Sequence, residues 1–247
     1  MLKKPVLDSI YYMKSKLPNR KEVAANVVPA ARKDVRRIII VEDHPIMRNG
    51  LVQLISQEKD FSICGQYEDA GAAFGAIEKF LPDIVIVDLS LKASSGLELI
   101  KSVKAAYPKL IMLVLSMYDE ALYAERTLRA GASGYVMKQE ATDKIMIALR
   151  KVATGGIYLS DRMSSKFMHQ LVGGGKTAAN GSLIERLSDR ELEVFGLIGE
   201  GRGTRQIAEQ LHLSIKTVES HRAHIKEKLN LRSATELVHR AIQMKQD

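Results

Sequence analysis

Asp88 stands at the carboxyl end of Ile84-Val85-Ile86-Val87, four consecutive β-branched residues, and is followed by Leu89-Ser90. Such a run reads as a strand buried on both faces of a parallel sheet, and an acid at its carboxyl end faces the crevice where open α/β sheets bind ligands. A second strand-like run, Arg37-Ile38-Ile39-Ile40-Val41, ends on Glu42 and Asp43. Two neighbouring strand ends would bring three carboxylates together, a cluster that repels itself unless a cation joins it. Carboxylate and carbonyl oxygens suit Mg²⁺, which keeps several of its waters. Three separately solvated strand-end acids would leave the same pattern, and these two runs alone do not separate the readings.

Two further residues fall at the same sheet edge. Ser116 ends Ile111-Met112-Leu113-Val114-Leu115, and Lys138 ends Gly134-Tyr135-Val136-Met137. A carboxylate nucleophile can accept a phosphoryl group, Mg²⁺ can balance its oxygens, and an ammonium plus a hydroxyl can bind the oxygens that remain. Singly each residue is ordinary: a strand-end serine is usually a turn former, a strand-end lysine a solvated edge residue, and Tyr135 core packing.

The elements that must position these groups alternate from Arg36 to Gly155. Strands are expected at 37–42, 61–66, 84–88, 110–116 and 134–137, and helices near 46–57, 69–80, 96–106, 119–130 and 141–153. Parallel neighbours need crossover helices, so the order implies an α/β doubly wound, five-stranded parallel sheet. Pro45 suits the first turn of the helix after the acidic pair. Residues 1–35 read as a basic N-terminal extension, disordered or partly helical. Residues 156–182, with Gly173-Gly174-Gly175 and a small polar run, read as a flexible linker. From 183 to 247 the pattern is all-helical, with a capping box at Ser188 and Glu191 and helices near 189–200, 204–211, 215–229 and 233–244.

Composition bounds the class. The chain has 247 residues, which suggests two domains, and its apolar runs are of strand length, so no membrane insertion is expected. Lys3 and Lys4 precede no apolar signal core, and the lone Cys64 cannot form an internal disulfide; a cytoplasmic location is expected. The net charge of +8 is concentrated in residues 1–35, with 8 basic against 3 acidic residues, whereas residues 183–247 carry 11 against 10. Overall basicity is therefore weak evidence for DNA. Within the last segment, however, residues 202–232 carry 7 basic against 3 acidic residues.

That local excess coincides with a helix, tight turn, helix pattern over Thr204–Val218. Ser214 caps the second helix, whose Val218, Ile225 and Leu229, with His221 between them, fall on one core face. The opposite face presents Glu219, Ser220 and Ala223, while Thr204, Arg205, Lys216, Thr217, Arg222 and Lys226 are placed to reach flanking phosphates.

The order Val41-Glu42-Asp43-His44-Pro45, Val87-Asp88-Leu89, Gly96, Leu115-Ser116 and Gly131 to Lys138 resembles the flavodoxin-like receiver domain of two-component response regulators. The segments Leu187 to Val194, Ile207-Ala208 and Lys216 to Leu229 resemble the LuxR-type helix-turn-helix. Together they resemble response-regulator transcription factors of the NarL/FixJ type. The resemblance implies that Asp88 is phosphorylated by a histidine kinase, and that Glu42, Asp43 and the Ser90 carbonyl hold Mg²⁺ with Asp88. It implies also that Ser116 and Lys138 contact the phosphoryl group and that Tyr135 is an aromatic switch. Ser116 moving toward the phosphoryl oxygen would make room for Tyr135 to turn inward, and the final helix would pair two domains as a homodimer on DNA. Lys92 stands where receivers usually carry proline, and Gly203-Thr204-Arg205 replaces the usual Ser-Asn-Lys.

An aspartyl-nucleophile phosphohydrolase would want a second acid two residues after the nucleophile, where Ser90 stands, and no glycine-rich phosphate loop follows the first strand. The expectation is thus a regulator rather than an enzyme, limited to its own phosphoryl transfer and dephosphorylation. The rival is a receiver that acts by protein contact alone.

Overall fold

The computed structural model describes residues 35–91, 94–172 and 183–246; the expected N-terminal arm up to residue 34, Lys92 and residues 173–182 lie outside them. Five strands, β1 Arg36–Val41, β2 Phe61–Tyr67, β3 Ile84–Val87, β6 Ile111–Ser116 and β7 Gly134–Met137, form a parallel sheet in the order β2-β1-β3-β6-β7. Two short strands, β4 Ser90–Leu91 and β5 Ser94–Ser95, pair antiparallel just after Asp88. Helices α1 Pro45–Ser56, α2 Ala70–Phe80, α3 Gly96–Ala106 and α4 Glu120–Ala130 make the connections, and α5 Ala141–Ala153 follows β7.

Strand period explains the two layers. Ile38, Ile40, Ile84 and Ile86 point to one face and pack with Leu51, Ile55, Ile145 and Leu149 of α1 and α5. Their neighbours Ile39, Val41, Val85 and Val87 point to the other face, against Ile77, Leu97 and Ile100 of α2 and α3. Each such buried branched side chain contributes about 1.5–3 kcal/mol, which holds β1 and β3 in the register Ile38↔Ile84 to Val41↔Val87 and sets their carboxyl ends side by side. On the other side of β1 the register slips by one residue between Ile38 and Ile39, at Cys64. That thiol donates to the Ile38 carbonyl at 3.4 Å, and burial pushes its pKa up, as suits an unreactive cysteine.

Local chemistry starts the helices near the expected positions. Pro45 opens α1, the Asp69 carboxylate accepts from Ala72 N at 2.9 Å, and the Asp119 carboxylate accepts from Ala121 N at 2.8 Å. Gly131 ends α4 at φ 110°, where a Cβ would lie 2.4 Å from the Lys104 side chain, so both backbone and space require glycine.

The expected linker differs in its first part. Tyr158 bridges to Gly134, with Tyr135 N donating to the Tyr158 carbonyl at 2.9 Å, and a helix, α6, spans Asp161–Val172. The glycine tract begins only after Val172, whereas Leu159, Met163 and Phe167 recur every four residues and pack on the core. Sparse apolar residues at helical spacing were outweighed in the sequence by the small and polar residues around them.

Beyond a 3₁₀ turn at Leu183–Arg186 lie α7 Asp189–Gly199, α8 Thr204–Gln210, α9 Ile215–Lys228 and α10 Ala234–Gln246. Both halves of the capping box form: Glu191 N donates to Ser188 Oγ at 3.3 Å and Ser188 N to Glu191 Oε2 at 2.6 Å. No helix among the described residues is long and apolar enough to cross a membrane.

Candidate functional site

The ends of β1, β3 and β7 bring Glu42, Asp43, Asp88 and Lys138 together, all buried. Lys138 Nζ lies 2.7 Å from Asp88 Oδ2 and 2.8 Å from Glu42 Oε2. The other Asp88 oxygen, Oδ1, accepts from Ser90 N at 3.1 Å, so the β4 turn holds the carboxylate from the far side. Burial pushes the Asp88 carboxyl up, Lys138 pulls it down and Glu42 pushes it up again, and together they leave it raised to about 6. Burial works against the Lys138 ammonium, but Asp88 and Glu42 outweigh it and hold its pKa above the ordinary lysine value.

Three carboxylates face one ammonium here, so negative charge is left over. Ligand atoms of Glu42, Asp43, His44 and Asp88 lie within 4.8 Å of one another. The set is mainly oxygen, and its residual charge fits a hard divalent cation. His44 was absent from the expected ligands: its Nδ1 lies 2.8 Å from Asp43 Oδ1 and 3.1 Å from Glu42 Oε1. Its place directly after the acidic pair was the available signal. Gly96 approaches so closely that a Cβ would sit 2.0 Å from the Asp88 carbonyl oxygen. Ser90 takes part through its backbone N–H; its carbonyl is the oxygen named above as a candidate ligand.

Ser116 is fully buried at the end of β6, next to β3, and its Oγ accepts from Tyr118 N at 3.2 Å. The Tyr135 ring lies inward, 1% exposed, with the hydroxyl donating to the Tyr118 carbonyl at 2.7 Å. That hydrogen bond and the apolar burial of the ring hold the inward position. The Tyr118 ring stacks on Tyr123 of α4, centroids 4.7 Å apart and planes 17° from parallel. Neither of these two tyrosines was singled out in the sequence, where aromatic residues read simply as core.

In the C-terminal segment α8 and α9 are joined by a turn in which His212 takes φ 53°, and Ser214 Oγ caps α9 by accepting from Thr217 N at 3.0 Å. Val218, Ile225 and Leu229 are buried and His221 half-buried, its pKa lowered by burial. Arg205, Lys216, Thr217, Glu219, Ser220 and Ala223 are exposed, while Thr204, Arg222 and Lys226 are partly covered.

α7 packs this segment on the receiver-like half. Asp189 is held by Lys101 of α3 and Arg126 of α4, at 2.7 and 2.8 Å, and Arg126 also donates to the Leu187 carbonyl at 2.8 Å. Burial pushes the Asp189 carboxyl up, but these two hydrogen-bonded cations outweigh it and hold it below the ordinary value. Glu193 of the same helix is buried beside Tyr118 and Tyr123, and burial raises its pKa in spite of Arg190. A cavity of about 520 Å³ lies between the halves, with Asp88, Lys138 and Ser90 on one wall and Arg190, Glu193 and Arg202 on the other.

An acid-and-lysine pocket at the edge of a five-stranded parallel sheet, joined to a helix-turn-helix unit, is the build of a two-component transcription regulator. Residues 38–150 match the response regulator receiver domain, and residues 185–241 match the bacterial regulatory proteins of the luxR family. The oxygen regulatory protein NreC of Staphylococcus carnosus is 34% identical over 212 residues, 85% of this chain and 98% of that protein. RcsB from Salmonella enterica serovar Typhimurium, solved bound to a promoter in the presence of phosphomimetic BeF3-, is 29% identical with a TM-score of 0.57, covering 83% of this chain and 98% of that one. Another RcsB structure from Salmonella typhimurium has a TM-score of 0.60 at 27% identity, covering 85% and 98%. The chain belongs to the response regulators of the NarL/FixJ type: it is a DNA-binding two-component response regulator, a regulatory transcription factor rather than a classical enzyme.

Proposed function

We propose that Asp88 accepts a phosphoryl group from a sensor histidine kinase in the cytoplasm, and that the phosphorylated chain regulates transcription as a homodimer on DNA. The observation that carries this reading is the Lys138 ammonium, 2.7 Å from Asp88 and 2.8 Å from Glu42 inside a buried acidic pocket. A fixed positive charge there serves the oxygens of an incoming phosphoryl group, and the hydroxyl of Ser116, paired with Met137 across β6 and β7, would contact them as well. Glu42, Asp43, Asp88 and the Ser90 carbonyl would hold Mg²⁺, which when bound supplies charge balance for the phosphoryl oxygens. The chain's own catalysis would be limited to this transfer and to loss of the phosphoryl group. Thr204, Arg205, Lys216, Thr217, Arg222 and Lys226 would meet DNA phosphates, with Glu219, Ser220 and Ala223 toward the bases.

Asp88→Asn keeps the shape and removes the nucleophile. With acetyl phosphate and Mg²⁺, intact-mass measurement should show one added phosphate on the wild type and none on the variant, and none after chelation of the metal. Equal labelling of wild type and variant overturns the assignment.

A further inference from the structure

We propose that the cleft between α3, α4, α6 and the end of α10 binds an anionic amphiphile, a carboxylate carrying an apolar body of the fatty-acid kind. The cleft shares no lining residue with the acidic pocket, so the proposal stands independently of the reading of Asp88.

Size and walls narrow the occupant first. The cavity measures about 810 Å³, within the range of roughly 300–1,000 Å³ found for small-molecule sites and far more than a bare inorganic anion fills. Its floor is apolar: Leu122, Met163, Phe167, Ile184 and Met244 line it, and all five pack in the same buried apolar cluster. Ala105 of α3 and Ala121 of α4 also line it, and their short side chains leave the space between these helices open. Met163 and Met244, thioethers on unbranched stems, can shift to follow the outline of a flexible chain.

Charge narrows it further. Lys101, Lys104, Arg126, Arg129 and Lys166 line the cavity against a single acid, Glu125. Three of these cations already have partners: Lys101 and Arg126 hold Asp189 at 2.7 and 2.8 Å, and Arg129 pairs with Glu125 at 2.6 Å. Lys104 and Lys166 have no acidic partner among the described residues. Lys104 is also anchored, its stem lying so close to Gly131 that a Cβ there would come within 2.4 Å of it. Two ammoniums without counter-charge beside an apolar floor favour an anion with an apolar tail: the carboxylate meets the ammoniums, and the chain displaces water from the floor. A neutral hydrocarbon leaves the charges unmatched, and a short anion leaves the floor wet.

The test is calorimetric titration of the full chain with decanoate, kept below its micelle concentration, beside decanol, which lacks the charge, and acetate, which lacks the chain. One decanoate should bind per chain, more tightly than decanol, and acetate should not bind. Lys104→Gln together with Lys166→Gln should weaken decanoate about tenfold and leave decanol unchanged. Ala105→Trp fills the cleft from an exposed position on α3 and should abolish binding of both, with circular dichroism and the urea midpoint showing each variant folded. Where tryptophan unfolds α3, the lysine pair decides alone. Saturable binding of decanoate that the lysine pair weakens supports the site. No saturable binding to the wild type, equal affinity for decanoate and decanol, or full binding of decanoate by the lysine variant or by folded Ala105→Trp overturns it.

Discussion

At the scale of single residues the pocket depends on groups that cannot be exchanged for near relatives. Glycine is required at position 96 because a Cβ there would lie 2.0 Å from the Asp88 carbonyl oxygen, and backbone has no flexible end to move aside. Gly96→Ala should therefore cost about 2 kcal/mol or more in urea unfolding and slow phosphate uptake by displacing the β3 end. An unchanged unfolding midpoint together with wild-type uptake would show that the loop absorbs the methyl. Lys138 is different in kind, since its ammonium balances two buried carboxylates. Lys138→Ala should still take up phosphate, slowly, and should lose the phosphate-dependent rise in DNA affinity, because the fixed charge that draws the new dianion is gone. A gel shift showing the full rise in this variant would remove Lys138 from the relay.

At the scale of elements, the rotation of α9 decides what reads DNA. Ser214 sets its start, and buried Val218, Ile225 and Leu229 set which side turns inward. Glu219 is then exposed, and Arg222 sits partly covered near the flank of the helix. Arg222→Ala should weaken binding on all sequences alike and reduce the magnitude of the log-affinity against log-salt slope by roughly 0.9 for each domain altered. Glu219→Ala should instead reorder preferred sites, since its carboxylate can accept from a cytosine amino group, a discrimination of about 1–3 kcal/mol. Site selection and salt titration on both variants separate these roles; unchanged preference in Glu219→Ala would mean a different helix rotation in the groove.

Across the whole molecule, the contact between its halves should make stability depend on pH. Burial raises the Glu193 carboxyl above its ordinary value of 4.5, so its protonated form suits the folded state better than its ionised form. The favourable contribution is then full below the unfolded value and is lost as pH rises through the folded one. Urea midpoints measured from about pH 4 to pH 8 should fall for the wild type relative to Glu193→Gln as pH rises. A constant difference between the two chains would mean that Arg190 keeps the carboxylate ionised throughout. Asp189 carries the opposite sign: its pKa is held below the ordinary 3.8, and its contribution is lost only as pH falls through that lowered value.

Much of this was legible in the chain itself, because strong local signals and the global fold agree. The β-branched run before Asp88, the strand that ends on Glu42 and Asp43, Pro45, and the Ser188-Glu191 capping box each act through neighbours a few residues away, so type and spacing suffice to place them. The helix α6 was hidden because Met163 and Phe167, set among polar residues, pack against elements distant in sequence. The inward position of Tyr135 depends on a carbonyl 17 residues earlier that the fold delivers to it. The cavity shared by Asp88 and Arg190, and the clamp that joins Lys101 and Arg126 to Asp189, are likewise decided only by tertiary packing. An ion pair across 63 or 88 positions leaves no periodicity or cap to read, because the charges that form it look the same in sequence as charges solvated on a surface.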